Sequence, residues 1–316
     1  MHAEAIQAHQ EKRWVALTSL WAAVGITAFK VIVGLTTGSL GILAEAAHSA
    51  LDLAAAAMTF FAIRVSARPA DREHLYGHGK VENVSALFET LLLLATCAWI
   101  FYEAAHRLGE HADAKVQVNA WSFAVMITSI IVDWSRSRAL SRAAIKHNSQ
   151  ALEADALHFS TDIWSSLAVI VGLICVKLGE WYPSLAFLHV ADSVAAIGVA
   201  VIVVWVSVKL GWRTIRSLLD TVPAGMEQRI TEAVTGLPGV AGCHQVRARM
   251  AGPQVFVDVH IEVDGTQTLK RAHDLTEDVE RVIQNLHPDA DVTVHAEPAA
   301  SPPPAPGDPA GKSEPF

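Results

Sequence analysis

Six apolar segments dominate the first two thirds of the sequence, and each reaches the roughly 20 residues that a helix needs to cross the hydrocarbon core of a membrane. The composition agrees with this pattern, since 52% of the 316 residues are hydrophobic and 18% are charged. The sequence therefore predicts a mainly α-helical membrane protein with six transmembrane helices. The segments are residues 14–37, 40–66, 81–105, 121–145, 150–178 and 190–212.

Basic residues indicate how this domain is oriented in the membrane. They are concentrated in alternate connections, with examples at Arg13, Arg68, Arg142 and Arg216, whereas the opposite loops contain few of them. Positively charged loops remain on the cytoplasmic side of a membrane. We therefore expect both termini to lie in the cytoplasm.

The pattern becomes that of a soluble domain after the sixth segment. The stretch "GMEQRITEAVTGLPGV" has the period of a short amphipathic helix, and "HQVRARMAGPQVFVDVHIEV" alternates like two strands joined by a Gly-Pro turn. A second helix is predicted in "TLKRAHDLTEDVERVIQNL" and a last strand in "DVTVH". The result is an α+β domain with the order α-β-β-α-β.

These patterns divide the chain into four regions. The tail "PAASPPPAPGDPAGKSEPF" is rich in proline and poor in large hydrophobic residues, so we predict that it is disordered. The predicted regions are a cytoplasmic segment at 1–13, a membrane domain at 14–217 with a cytoplasmic loop at 67–80, a cytoplasmic domain at 218–297 and the tail at 298–316.

One polar pattern occurs twice inside the membrane segments. An acidic residue is followed by a histidine three positions later and by an aspartate four positions after that, in "EAAHSALD" and again in "DALHFSTD". These spacings place each triplet on one helix face. The residues are Glu45, His48 and Asp52 in the second segment, and Asp155, His158 and Asp162 in the fifth.

The repeated pattern has two interpretations. Polar side chains in membrane helices can form hydrogen bonds between helices without any further function. However, ionisable groups at this depth usually mark a functional pathway, and two imidazoles with two carboxylates would suit a tetrahedral zinc ion if the two helices pack together. We favour a metal site formed by His48, Asp52, His158 and Asp162. Glu45 would then support the ligands or line the ion's path, and so would Asp155.

A second candidate site lies in the loop "RPADREHLYGHGKVEN". Asp71, His74 and His78 follow one another at spacings of three and four. This would be a chelating face if the loop were helical, but "YGHG" is typical of a turn. The spacing alone does not decide between a metal site and a loop whose side chains are simply solvated.

Histidines are also frequent in the predicted cytoplasmic domain. Scattered surface histidines are the simple explanation, because the sequence alone does not show which strands are neighbours. A metal cluster is the alternative. The candidate ligands are His244, His260, His273, His295 and Glu297.

Several classes of protein are excluded by what the sequence lacks. It has no nucleophile constellation, phosphate-binding glycine loop or cofactor fingerprint, so we do not expect an enzyme or an organic cofactor. The net charge of −8 includes no basic patch for nucleic acid. With three cysteines and no CxxC motif, the sequence does not predict a disulfide framework.

These motifs resemble the cation diffusion facilitator family, whose members are divalent-metal/proton antiporters. The resemblance covers nearly the whole chain except the tail. It implies a six-helix membrane domain, a cytoplasmic domain with a metallochaperone-like fold, and a homodimer. The stretches that carry it are "GILAEAAHSALDL", "RPADREHLYGHGKVENVSAL", "NSQALEADALHFSTDIWSS", "RSLLDTVP" and the histidine-bearing end.

The resemblance also implies roles for particular residues. It makes all three candidate clusters metal sites, with Glu297 standing where relatives often have aspartate. It further implies a charge interlock between Lys80 and Asp220 and a hydrophobic gate at Leu157. His48 stands where the best-known bacterial relatives have aspartate, and its imidazole favours zinc over harder ions.

The expected function is therefore efflux of Zn²⁺, with Cd²⁺ or Co²⁺ as further cargo, from the cytoplasm by proton antiport. Zn²⁺ is expected both as the transported ion and as a structural ion. The expected partners are membrane lipid and a second copy of the chain. The expected location is a bacterial inner (plasma) membrane. Two alternatives remain: a transporter of the same fold for Fe²⁺, Ni²⁺ or Mn²⁺, and a metal-sensing scaffold that does not transport.

Overall fold

A computed structural model describes residues 2–38, 40–109, 120–181, 191–288 and 290–299. The described chain begins with six long helices and ends in a smaller part that contains both helices and strands. The long helices are α1 (His2–Thr37), α2 (Leu40–Ser66), α3 (Lys80–Gly109), α4 (Ala120–His147), α5 (Gln150–Trp181) and α6 (Ala191–Leu218). The remaining elements are α7 (Met226–Thr235), β1 (Val240–Ala251), β2 (Gln254–Val263), α8 (Leu269–Leu286) and β3 (Asp291–Pro298).

The chain forms two compact units. The first comprises Met1–Thr221 and Met250–Gln254, and the second comprises Val222–Arg249 and Val255–Phe316. In the described residues, four helices of the first unit contain a stretch long and apolar enough to cross a membrane. These stretches are Gln7–Thr37, Glu45–Ser66, Lys80–Tyr102 and Ile197–Leu218.

Small side chains bring the helices of the first unit close together. Helix α1 packs mainly against α2, α3 against α6, and α4 against α5. A buried cluster from α1, α2, α4 and α5 contains many alanines, which allow close approach of helix backbones. Phe159 of α5 lies in this cluster, and the Arg136 guanidinium of α4 stacks on its ring at 3.4 Å from the centroid. This packing holds the polar faces of α2 and α5 in one interior.

A buried ion pair joins further helices of the first unit. Lys12 Nζ donates to Glu82 Oε1 at 2.5 Å, and both side chains are almost inaccessible to solvent. The same carboxylate accepts hydrogen bonds from Ser66 at the end of α2 and from Ser149 just before α5. One glutamate of α3 therefore contacts three other parts of the helical unit.

The second unit is built around a three-stranded sheet with the order β1-β2-β3. Strand β2 is parallel to β3, with His260 opposite His295. Helix α8 makes the crossover between these strands, and Thr268 caps its first turn by accepting the Arg271 N–H. The residues of α8 that face the core recur at intervals of four, at Leu275, Val279 and Ile283.

The predicted fold class is confirmed: a helical membrane domain precedes an α-β-β-α-β domain. Some predicted boundaries differ from the structure. Helix α1 extends back to His2, and β3 continues to Pro298, after which the Ala299 N–H donates to Val263 O at 2.8 Å. The rest of the predicted tail, residues 300–316, lies outside the described residues.

Candidate metal centres

The repeated polar pattern forms one cluster between α2 and α5. His158 Nε2 lies 3.1 Å from Asp52 Oδ1 and 3.7 Å from Asp162 Oδ2. His48 Nε2 lies 3.9 Å from the same Asp52 oxygen. The structure thus brings together all four residues that the sequence predicts as ligands.

The cluster has the donor atoms and the size of a metal site. One ligand atom each from His48, Asp52 and Asp162 lies within 4.8 Å of the other two. His158 contacts both carboxylates from the interior, with 8% of its side chain exposed, whereas the His48 side chain is 46% exposed. The site is therefore closed at His158 and accessible at His48.

Glu45 and Asp155 occupy different surroundings, although the sequence gives them equivalent positions. The Glu45 side chain is 62% exposed and accepts a 3.2 Å bond from Lys30 Nζ. Asp155 is buried, and its two carboxylate oxygens have no hydrogen-bond partner among the described residues. The two triplets are consequently alike in spacing but unlike in exposure.

The other two predicted features of the membrane unit also form contacts. Lys80 Nζ donates to Asp220 Oδ1 at 2.8 Å, so the two members of the expected charge interlock are paired. Leu157 is partly buried and packs against a small apolar cluster from α3, α5 and α6. This contact places an apolar side chain one residue before His158.

The loop between α2 and α3 contains the second cluster, and its conformation is a series of turns rather than a helix. The Asp71 carboxylate accepts the backbone N–H groups of Glu73 at 2.9 Å and His74 at 2.7 Å. His74 Nδ1 and His78 Nε2 each lie 3.4 Å from an Asp71 oxygen. Ligand atoms of the three predicted residues lie within 4.8 Å of one another.

The ionised state of Asp71 suits metal binding. The backbone hydrogen bonds from His74 and Glu73 hold the pKa of its carboxyl below the ordinary value. A carboxylate that remains ionised is a ready oxygen ligand for a cation. The turn therefore fixes both the position and the charge of this ligand.

The third cluster spans the three strands of the second unit. His244 of β1, His260 of β2 and Glu297 of β3 place ligand atoms within 4.8 Å of one another. His260 Nδ1 lies 2.8 Å from Glu297 Oε1, and His244 Nε2 lies 3.4 Å from Glu297 Oε2. The hydrogen bond from His260 lowers the pKa of Glu297.

The two remaining predicted ligands differ in position. His295 Nε2 lies 3.5 Å from Glu297 Oε1, so it borders the strand cluster. His273 lies on α8, where it contacts Glu277 at 3.5 Å. The structure joins His295 to the cluster and gives His273 a contact within its own helix.

Three neighbours of these clusters were not predicted from the sequence. Glu262 lies 3.8 Å from His244, and its position two residues after His260 on a strand could have indicated that they share a face. Lys30 and Glu89 are isolated charges within apolar segments, and buried ionisable groups of this kind are uncommon enough to attract attention.

The long helices surround a cluster of imidazoles and carboxylates, and a small domain with a cluster of the same donors follows them. This combination defines a class of membrane transporter for cations. Comparison with family models supports this class. Residues 16–219 match the cation efflux transmembrane domain, and residues 222–299 match the cytoplasmic domain of cation efflux proteins. The chain belongs to the cation efflux family.

Curated relatives agree with this assignment over nearly the whole chain. The cation-efflux pump FieF of Salmonella arizonae is 31% identical over 290 residues, which cover 90% of this chain and 92% of the relative. FieF of Yersinia pestis (strain Pestoides F) is 31% identical over 298 residues, covering 92% and 95%. The protein is thus an integral membrane cation transporter and not an enzyme.

Solved structures similar to this chain include forms of the MamM C-terminal domain. A nickel form is 29% identical with a TM-score of 0.24 and covers 25% of this chain and 100% of the other. A cadmium form is 29% identical with a TM-score of 0.23, and covers 24% and 98%.

Proposed function

We propose that this protein exports divalent metal cations from the cytoplasm, with Zn²⁺ as its main cargo, in exchange for protons. The observation that carries the proposal is the cluster of two imidazoles and two carboxylates between α2 and α5. Its members, His48, Asp52, His158 and Asp162, are the proposed transport ligands. Charged groups are costly inside a membrane, so those that occur there are usually paired or functional.

The donor atoms support the choice of cargo. Two nitrogen and two oxygen ligands suit the tetrahedral geometry of Zn²⁺, and Cd²⁺ or Co²⁺ can use the same set. Manganese and magnesium prefer sites with more oxygen donors. Fe²⁺ and Ni²⁺ also accept imidazole ligands, so they are the principal competing cargoes.

The same contacts support exchange with protons. A metal ion binds a neutral imidazole and an ionised carboxylate, so cation and proton compete for these groups. Because imidazole changes its charge near neutral pH, the competition falls in the physiological range. His158 lies within 4 Å of both Asp52 and Asp162, so protonation of its ring would remove a metal ligand and offset part of the negative charge of the two carboxylates.

We assign supporting roles to the other predicted features. The cluster of His244, His260 and Glu297 holds structural Zn²⁺ and stabilises a homodimer, with His295 and His273 as further ligands. Asp71, His74 and His78 bind metal in the loop. Glu45 and Asp155 act around the transport site, Leu157 acts as a gate, and the Lys80–Asp220 pair acts as the charge interlock.

The proposed setting is the inner membrane of a bacterium, with both termini in the cytoplasm. Large apolar side chains on the outer surface of the helical unit support contact with lipid, including Trp21, Phe61, Trp99 and Trp205. The predominance of basic residues in alternate loops supports the orientation.

The proposal is tested by metal uptake into inside-out vesicles or proteoliposomes that contain the full chain. We expect Zn²⁺ uptake by the wild type and its loss in Asp162→Ala. Glu45→Gln should retain a reduced rate, because this exposed side chain contacts Lys30 rather than the ligand cluster. Asp278→Ala, which removes an exposed carboxylate of α8 paired with Arg281, is the control and should transport normally.

Competition among Zn²⁺, Cd²⁺, Fe²⁺, Ni²⁺ and Mn²⁺ in the same vesicles identifies the cargo. Faster transport of iron, nickel or manganese than of zinc would establish the alternative cargo. Zn²⁺ binding without transport of any of these ions would favour the sensing scaffold. Equal loss of transport in Asp162→Ala and Glu45→Gln would contradict the division between ligands and supporting groups.

A further inference from the structure

Two glutamates on α3 are completely buried but differ in their surroundings. Glu82 and Glu89 are both 0% exposed, and they lie seven residues apart, which is about two helical turns. Glu82 is paired with Lys12, and both its oxygens accept hydrogen bonds. Glu82 therefore has both a paired cation and hydrogen-bond donors.

Glu89 lacks this compensation. Its Oε1 accepts a hydrogen bond from the Thr59 hydroxyl of α2. Its Oε2 has no hydrogen-bond partner in the part of the chain that the structure describes. A buried carboxylate with one neutral donor and no paired cation is strongly disfavoured, and such a group is stabilised by holding a proton.

Helix α5 contributes two ionisable groups with opposite effects on Glu89. Repulsion from the Asp155 carboxylate favours a proton on Glu89, whereas a charged His158 ring favours the ionised form. Two basic side chains of α6 are engaged elsewhere: Lys209 lies over the Trp205 ring, and Arg213 pairs with Glu153. Thr59 is the polar contact from α2.

Asp155 differs from Glu89 in its charged surroundings. Both of its oxygens are buried without hydrogen-bond partners among the described side chains, but Arg136 lies within electrostatic range of it. Repulsion between the two ionised carboxylates would favour a proton on one of them, and the positive charge of Arg136 stabilises the ionised form of Asp155. The proton is therefore better placed on Glu89.

We propose that Glu89 is a proton-binding residue that holds a proton in the state described here and releases it when a divalent cation binds at the α2–α5 site. The inference rests on the proposed exchange of metal for protons. Binding of the cation beside His158 adds positive charge within range of Glu89, so its carboxyl group becomes a carboxylate and the proton passes to solvent. Reprotonation of Glu89 favours release of the cation.

Infrared spectroscopy of the purified full-length protein in detergent tests this inference without transport. The C=O stretch of a protonated carboxyl group is separate from that of a carboxylate and shifts in deuterated water. We expect the metal-free wild type to show this band and to lose it when Zn²⁺ is added. The Glu89→Gln variant should fold and should lack the band in both conditions.

Two other variants locate the proton. Asp155→Asn and Glu45→Gln should both retain a protonated-carboxyl band, since neither is its proposed carrier. The inference is overturned if Glu89→Gln keeps a band of wild-type size, if the wild type has none, or if the band does not respond to Zn²⁺. Misfolding of Glu89→Gln would also overturn it, because glutamine closely mimics a neutral glutamic acid.

Failure of this inference can be separated from failure of the proposed function. Vesicle transport reports on the function, whereas the band in metal-free protein reports on Glu89 alone. Zn²⁺/proton exchange that persists while the band is independent of Glu89 overturns the inference and leaves the function intact. A Glu89-dependent band lost on Zn²⁺ binding, in a protein that transports no metal, overturns the function and supports the role of Glu89.

Discussion

The two histidines of the α2–α5 cluster, His48 and His158, differ in accessibility, and this difference suggests different contributions. His158 is nearly buried and contacts two carboxylates, so its ring is held in place by Asp52 and Asp162. His48 is 46% exposed and approaches one carboxylate at 3.9 Å. Substitution of His48 should therefore alter the donor set with less disturbance of the helix packing than substitution of His158.

His48→Asp should shift selectivity from zinc towards manganese. The change replaces a nitrogen ligand by oxygen, which harder cations prefer. We expect the ratio of Zn²⁺ to Mn²⁺ transport rates to fall on the order of tenfold, equivalent to about 1.4 kcal/mol. His48→Ala is the comparison, because it removes the ligand without adding an oxygen and should slow transport of both ions. An unchanged ratio in His48→Asp would contradict a ligand role for His48.

At the scale of elements, a few buried polar contacts hold the long helices in register. The Lys12–Glu82 pair joins α1 to α3, and the serines of this network add the end of α2 and the start of α5. Asn83 of α3 makes two further bonds, to Gln150 at 2.9 Å and to Ser217 at 3.2 Å. These contacts specify neighbours that apolar helix faces alone would leave undefined.

Glu82→Gln should destabilise the helical unit, because it leaves the buried Lys12 ammonium without a counterion. Breaking one side of a buried pair costs about 3–5 kcal/mol, whereas replacing both sides by apolar groups is often much less costly. Thermal unfolding in detergent should show a larger fall in Tm for Glu82→Gln than for the double variant Lys12→Met/Glu82→Leu. A smaller fall in Tm for Glu82→Gln than for the double variant would show that Glu82 is not needed as the counterion of a buried Lys12.

The strand cluster of the cytoplasmic domain should make the stability of the protein depend on bound metal. Removal of bound metal by a chelator should lower the Tm of the wild type, because the cluster ties β1, β2 and β3 together. His260→Ala should abolish most of this response, since His260 contacts Glu297 at 2.8 Å. His273→Ala should have a smaller effect, because His273 lies on α8 against Glu277. A larger effect of His273→Ala would place the metal elsewhere.

For the molecule as a whole, periodicity predicted the elements well, because long apolar segments and alternating strands are local patterns. The α2–α5 cluster was also predictable, since a motif repeated in two membrane helices is informative without coordinates. The different surroundings of Glu45 and Asp155 were not predictable, because exposure depends on the helices that pack beside them. For the same reason the sequence did not separate Glu82 from Glu89.

The loop and strand clusters show a similar limit. The spacing of Asp71, His74 and His78 would give a chelating face on a helix, whereas "YGHG" indicated a turn. The structure brings the three residues together through a turn stabilised by hydrogen bonds to Asp71. Glu262 became a neighbour of His244 only through the sheet order. Contacts of this kind depend on tertiary structure rather than on local sequence period.

The central claim is that one intramembrane site exchanges a divalent metal ion for protons. Its most direct test is Zn²⁺ flux in proteoliposomes containing the wild type, with and without an imposed proton gradient, alongside Asp162→Ala. We predict that the gradient drives Zn²⁺ against its concentration difference, that dissipating the gradient with a protonophore stops this movement, and that Asp162→Ala shows neither effect. Zn²⁺ movement by the wild type that is indifferent to the proton gradient would contradict the account.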